Sequence, residues 1–331
     1  MLGRWIAIVD PKGEYAGVAE RLGLAVVKLQ PGGEQRLNPL HRAAGADHHD
    51  DGVRQATMVA ALVASVLRRD LTPLEDAALG WTTSHLARNM AEPTLADLAA
   101  CLASPSKTMG ERAHMTPTQL ARGTDDVVFG LGKLLDRSLR GMFDGPSTIE
   151  LQADGPGVVI DLSAVHNDPD ALGLVMIAAT AWLQSVLAQP GPPRLQVLDE
   201  AWALLANERA ARYLQACFKL GRSYGVANIA IVHRLSDLRA QADDGTALAK
   251  VTRALVADSG THVLFRHGKR EDAETTVTEL SLPASAVAVL QKLPMHRALV
   301  HCGGQIAVVE VRFNDTLTHL AYTNQAMGRV A

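Results

Sequence analysis

Leu195-Gln196-Val197-Leu198-Asp199-Glu200-Ala201-Trp202 is the stretch that decides how this chain folds. Apolar or neutral residues run without a break into two adjacent acids. Such a run forms a parallel strand buried on both faces. The acids then fall at its C-terminal end, the edge of an open α/β sheet where ligands bind. One carboxylate at such an edge can hold a hydrated divalent cation, and a second can polarise a water beside it. The plainer alternative is a strand end whose acids cap the next helix, where the helix dipole favours negative charge. An isolated cap rarely needs two adjacent acids straight after a core strand, which favours the ligand-facing role.

Strands and helices alternate outward from this point. Residues 5–9 read as a buried strand that ends in the polar turn Asp10-Pro11-Lys12-Gly13-Glu14-Tyr15. Residues 16–22 form a short helix stopped by Gly23, and residues 24–29 a second strand, which completes one βαβ-like spacing. Pro31-Gly32-Gly33 and Asn38-Pro39-Leu40 follow in a loop. From about residue 50 to 143 the periodicity is helical only. Met58, Leu62 and Val66 share one stripe. Thr72-Pro73-Leu74-Glu75 is a helix start, with Thr as cap, Pro at the first position and Glu in the first turn. Ser104-Pro105 and Thr116-Pro117 punctuate two more helices.

Strands are expected again at 148–151 and 157–162, then a long helix over 170–189 and a Pro/Gly linker into the acidic strand. Beyond it come a helix (207–224), a strand (226–232), a helix (245–256), a strand (261–265), a short helix (282–291) and a closing hairpin around Gly303-Gly304. The expected fold is α/β: a mostly parallel sheet with helices on both faces and an all-helical insertion. The expected boundaries are a core of 1–48 and 146–315, an insertion of 49–145 and a tail of 316–331.

Bulk properties fit this scheme. The chain has 331 residues, of which 47% are apolar, 20% charged and 4% aromatic, so a large aliphatic core is within reach. A net charge of −3 lacks the basic footprint of a chain that grips nucleic acid tightly by itself. Cys101, Cys217 and Cys302 stand far apart without metal spacing and read as reduced thiols of a cytosolic protein. Residues 171–188 are apolar but contain Gln184 and Ser185, and read as a buried helix rather than a membrane span. No leader pattern follows Met1. Asp47-His48-His49-Asp50-Asp51 reads as a solvated loop, because adjacent side chains rarely converge on one ion. Gly130-Leu131-Gly132-Lys133 is no phosphate loop: it lacks the preceding strand, the spacing and the following Ser/Thr.

Three segments stand in order: Val9-Asp10-Pro11-Lys12-Gly13-Glu14-Tyr15, Val197-Leu198-Asp199-Glu200-Ala201-Trp202 and Gly221-Arg222-Ser223-Tyr224-Gly225. Their order and spacing resemble the HerA–FtsK superfamily of ring ATPases, with a RecA-like core. Within it the chain is most similar to the VirB-type (TraC-like) ATPases of conjugation and type IV secretion, and next to the TraG-like coupling proteins. Asp-Glu-Ala-Trp and the helical insertion favour the first branch. The resemblance spans residues 5 to about 314.

It implies ATP and Mg²⁺ as cofactors. Asp199 is then the ligand of the hydrated Mg²⁺, and Glu200 the general base or water-orienting carboxylate. Asp10, Lys12 and Glu14 line the nucleotide, although the same residues would also suit an ordinary solvated turn. Arg222 is a candidate arginine finger toward a neighbouring subunit, against a cation that merely suits a helix C-terminus. Arg266 is a second basic candidate, in a cluster that a solvated loop explains as well. His233 stands where related motors usually carry a γ-phosphate-sensing Gln, and Ser236-Asp237-Leu238 match the helix start after it. The implied assembly is a homo-oligomeric, hexameric ring working with secretion or conjugation machinery on DNA or protein. The expected location is cytoplasmic, at most peripheral to the inner face of the membrane and without stable insertion.

One part of the pattern is missing. G-x-x-x-x-G-K-[ST] occurs nowhere in the sequence, and in the family it precedes the strand that here starts at Trp5. Weak or absent activity of this chain alone is the expectation. A fragment, a split motor and a degenerate scaffold subunit are the competing explanations, of which the first is favoured because the two acids and the Asp-Pro-Lys-Gly-Glu turn are intact. The strand that carries the phosphate loop is normally central, so the sheet should show a gap or a rearranged order. A non-hydrolysing scaffold, or an unrelated α/β regulator that binds a cation at its acidic strand end, are the alternatives to a motor.

Overall fold

The computed structural model describes residues 3–41, 48–136, 139–149, 155–187, 191–205, 208–233 and 247–321. Two compact units divide the chain, Met1–Ile231 and Val232–Ala331.

In the first unit, five strands form one sheet: β1 (Trp5–Asp10), β2 (Ala25–Lys28), β3 (Gly157–Asp161), β4 (Arg194–Leu198) and β5 (Val226–Ala230). Their order is β2-β3-β1-β4-β5, and every pairing is parallel. The C-terminal ends of β1, β3 and β4 therefore lie along one edge. Asp10 stands opposite Asp161 across β1 and β3, and Val9 opposite Leu198 across β1 and β4. β1 is central because its residues are buried almost throughout. β3 can lie against it only through Gly157: at φ +136°, a Cβ there would sit 1.9 Å from the Ile6 carbonyl oxygen.

Helix α1 (Ala16–Leu22) ends at Gly23, whose left-handed φ of 70° turns its N–H back onto the carbonyls of Ala19 and Glu20. Between β2 and β3 the elements among the described residues are all helices: α2 (His48–Leu67), α3 (Pro73–Asn89), α4 (Leu95–Ala103), α5 (Lys107–Arg112), α6 (Pro117–Gly123) and α7 (Asp125–Asp136). Reciprocal capping boxes start three of them, at Thr72/Glu75, Thr94/Asp97 and Thr116/Gln119. Helix α8 (Pro169–Leu187) is buried on nearly every side. By length and composition it could cross a membrane, but 89% of its apolar window is buried within the protein, as in a core helix. Its Gln184 amide donates to Gln196 Oε1 of β4 at 3.2 Å, a polar link inside an apolar layer. Helix α9 (Glu208–Gly221) leads into β5.

The second unit contains an antiparallel sheet ordered β6-β7-β8, from β6 (Thr261–Leu264), β7 (Arg297–Cys302) and β8 (Gln305–Glu310). Helices α10 (Ala247–Asp258), α11 (Arg270–Glu279) and α12 (Ala286–Lys292) accompany it. Its core gathers Ala273, Val277, Leu290, Leu293 and Leu299.

Several expectations need correction. Thr148 and Ile149 are not in a strand, and Glu150 and Leu151 lie outside the described residues. His48 to Asp51 are not a loop but the start of α2; Asp47 lies outside the described residues. Gly130 to Lys133 are interior to α7, consistent with no phosphate-loop role. The helix Arg270–Glu279 was not expected. The five strands of the parallel sheet are paired without interruption, so no gap is seen within it, and the later strands form a separate antiparallel sheet. Residues 236–238 and 322–331 lie outside the described residues. The former hold the expected helix start and the latter most of the tail.

Candidate functional site

At the C-terminal edge of β1 and β4, two loops meet. The first is the turn after β1. Asp10 is buried, and its carboxylate accepts four backbone N–H groups: those of Lys12 and Glu14 at 3.2 Å, Gly13 at 2.8 Å and Tyr15 at 2.9 Å. One anion thus folds the whole Pro11–Tyr15 turn around itself. Gly13 is required at φ +73°, because a Cβ there would press against Ser163 and Asp161 beneath it. Asp10, expected to line a nucleotide, accepts these four N–H groups and so holds the turn that carries Lys12 and Glu14.

The second loop follows β4. The N–H of Asp199 donates to the Val9 carbonyl at 3.2 Å, which carries the sheet ladder one step past the strand. Asp199 Oδ1 accepts the Glu200 N–H at 2.9 Å. Glu200 adopts φ +51°, the left-handed region that costs a non-glycine residue of order 1–3 kcal/mol. From there the chain enters a 3-10 turn, Ala201–Leu205, and the Ala201 N–H reaches the Ile231 carbonyl at 3.0 Å. Glu200 is 3% exposed and pairs with Lys12 Nζ, while its other oxygen accepts the Trp202 indole N–H.

The electrostatics follow from this crowding. Burial raises the Asp199 carboxyl above its ordinary value, and the negative charges of Glu200 and Asp10 add to that, against the Glu200 N–H and Lys12. Burial, then Asp199, Asp10 and Glu14, push the Tyr15 phenol up to about 12. The hydrogen bond to Glu200 raises the Lys12 ammonium above its ordinary value despite partial burial. Glu14 is exposed at the rim of the same turn.

The fold therefore brings together Asp10, Lys12, Glu14, Asp199 and Glu200. It does not bring Arg222 to them. Arg222 is exposed in the turn before β5, whose first residue pairs with Arg194 at the start of β4. At about 3.3 Å per residue, the length of β4 separates it from the acids. His233 and Arg266 belong to the second unit: His233 follows β5 in the chain, and Arg266 is exposed just after β6. Two contributors went unread in the sequence. Tyr15 shares the acid cluster, and the indole of Trp202 fixes Glu200. Trp202 was visible only as part of a motif.

A Mg-nucleotide fits this edge in part. Asp199 can hold a hydrated Mg²⁺, which binds through one or two carboxylates plus phosphate oxygens. Lys12 can take one phosphate oxygen. Among the described residues no group of three or more His, Cys, Asp or Glu side chains could enclose a bare ion. The backbone N–H groups of Lys12, Gly13, Glu14 and Tyr15 are bonded to Asp10.

No protein-family model matches the sequence, and no curated protein does. Solved structures match over nearly the whole chain. VirB4 of Thermoanaerobacter pseudethanolicus superposes with a TM-score of 0.74 at 19% identity, over 95% of this chain and 83% of that one. The chain has the fold of VirB4. It also matches the plasmid coupling protein TrwB in complex with ADP and Mg²⁺, with a TM-score of 0.53 at 15% identity, over 95% of this chain and 86% of TrwB. TrwB with a non-hydrolysable ATP analogue matches at 0.52 and 14%. The parallel sheet with its covering helices is thus the RecA-like α/β architecture shared by VirB4 and TrwB, the two branches that the motifs resemble.

Proposed function

We propose that this chain is the C-terminal part of a conjugation or type IV secretion motor ATPase, coupling ATP hydrolysis to DNA or protein transfer. Its carrying observation is Asp199 and Glu200 side by side at the C-terminal edge of a parallel sheet, beside a turn that presents Lys12 and Glu14. Asp199 would hold Mg²⁺ and Glu200 would orient the attacking water. The metal stabilises the charge that develops on the phosphates when bound. Arg222 would act from a neighbouring copy in a hexameric ring, since its own site is a strand length away. Residues 49–145 are taken as a subdomain inserted in the core, and residues 316–331 as its tail. A cytoplasmic location, with secretion or conjugation machinery as partner, belongs to the same proposal, as do sensing roles for His233 and Arg266.

The chain alone is expected to be weak or inactive. It has no Gly-rich cradle, and two or three lost charge-assisted hydrogen bonds are each worth roughly 1.5–3 kcal/mol. β5 supports supply of the cradle by other polypeptide: among the described residues it pairs on one side only, and Ile229 and Ile231 beside it are 44% and 37% exposed. A non-hydrolysing scaffold is the second reading, favoured by the same missing cradle. Calorimetric titration with Mg-ATP, with Glu200→Gln as control, separates them. Measurable Mg²⁺-dependent binding, retained in Glu200→Gln, supports the motor; no detectable heat at millimolar Mg-ATP leaves the scaffold.

A further inference from the structure

Both oxygens of the Glu200 carboxylate are engaged: one by the Lys12 ammonium, the other by the Trp202 indole N–H. With a cation on one oxygen, the indole on the other and only 3% exposure, the carboxylate leaves an incoming water little acceptor capacity. The two partners differ. Trp202 is two residues along the chain, in the 3-10 turn that the strained Glu200 backbone starts, and moves with the acid. Lys12 comes from the other loop and is 29% exposed, against 3% for Glu200. Its backbone is fixed by the Asp10 carboxylate, but its four-carbon stem is flexible and its charge is a point that any anion can take. Of the three groups, Lys12 is the one able to let go.

We propose that Lys12 is a latch on Glu200, closing the carboxylate against the Trp202 indole until a phosphate oxygen takes over its ammonium. This rests on Glu200 being the water-orienting acid. No proton or bond is transferred in the exchange; Lys12 trades one anionic partner for another. Glu200 keeps the indole on one oxygen, which preserves its aim, and gains a vacant acceptor on the other. Lys12 is thus a positioning residue that keeps the acid idle while no phosphate is bound. Trp202 is its built-in reporter.

Indole N–H resonances of the full ¹⁵N-labelled chain test this directly, since there are only four tryptophans to resolve. Trp202→Phe assigns the signal. Lys12→Met is expected to move the Trp202 resonance while those of Trp5, Trp81 and Trp182 stay, and Lys12→Arg to restore it. A Trp202 signal unchanged in Lys12→Met overturns the latch. Should Lys12→Met disturb all four signals, the wild-type chain is titrated with Mg-ATP, with calorimetry in parallel. Movement of Trp202 alone supports the latch; a stationary signal alongside measured binding overturns it. Absence of calorimetric binding counts against the motor reading and leaves the release of Glu200 by Lys12 to be tested with an anion alone. Sodium tripolyphosphate then serves as the anion, and a Trp202 signal still at millimolar concentration overturns the latch.

Discussion

Replacing Asp10 tests whether one carboxylate builds the turn that carries Lys12 and Glu14. Four N–H groups converge on it, two of them at 2.8 and 2.9 Å and two at 3.2 Å. Taken singly, hydrogen bonds to a charged acceptor contribute about 1.5–3 kcal/mol. Four would sum to about 6–12 kcal/mol, but that sum is not the expected cost. The turn residues other than Pro11 are partly or fully exposed, so water recovers much of what the N–H groups lose. Removing the charge also relieves repulsion with Asp199. Asp10→Ala is therefore expected to destabilise the first unit by roughly 2–4 kcal/mol, and Asp10→Asn, which keeps one acceptor oxygen, by about half as much. Urea unfolding followed by circular dichroism gives the global value. Amide hydrogen exchange at Lys12, Gly13, Glu14 and Tyr15 gives the local one, since a turn can open without the domain. A loss below about 0.5 kcal/mol, with unchanged protection of those amides, would refute the turn-building role.

Asp199→Asn is expected to stabilise the chain at pH 7 by about 1 kcal/mol, because a buried, crowded charge is removed while the bond to the Glu200 N–H is kept. The folded-state pKa is raised, so the cost of ionisation grows as pH rises above 3.8 and vanishes below it; equal urea midpoints at pH 7 would sink this account. Glu75 lies in the opposite case. Arg69 and the Thr72 capping box lower its pKa from 4.5 to about 2, so its contribution is present above 4.5 and lost as pH falls toward 2. Arg69 is 37% exposed, which discounts the gain to about 1–2 kcal/mol, read as a shallower acid limb of the stability profile in Glu75→Gln. Gly157→Ala should cost roughly 3–5 kcal/mol through collision with the Ile6 carbonyl, and a melting temperature within 2–3 °C of the parent, about 1 kcal/mol, would contradict the strand register.

The elements that could be read from sequence are those whose cause is local. β1 and β3 are apolar runs up to their closing Asp, β4 is apolar apart from Arg194 and Gln196, and the starts at Thr72 and Thr116 carry their caps in the next three residues. Helix α11 was hidden because Thr275-Thr276-Val277-Thr278 favour strand, and only packing of Ala273, Thr276 and Val277 into the second unit's core overrides them. The acid pair and its turn were legible as a motif, but the assignment of each carboxylate was not. Asp10 closes on its own backbone, which no spacing rule announces. The hold of Trp202 on Glu200 exists only because Glu200 takes a left-handed φ. Arg222, by contrast, could have been located beforehand: a residue between a helix end and a parallel strand start must fall at the edge away from the acids.

The open flank of β5 governs how this chain behaves at the bench. Val226-Ala227-Asn228-Ile229-Ala230 has the make-up of an interior strand, yet among the described residues it pairs on one side only, with β4. A strand left with one unpaired side is a seam where copies can join at high concentration, through main-chain bonds and aliphatic contacts that added salt does not weaken. A short polypeptide that satisfies the seam should act as a solubiliser first, whatever else it restores.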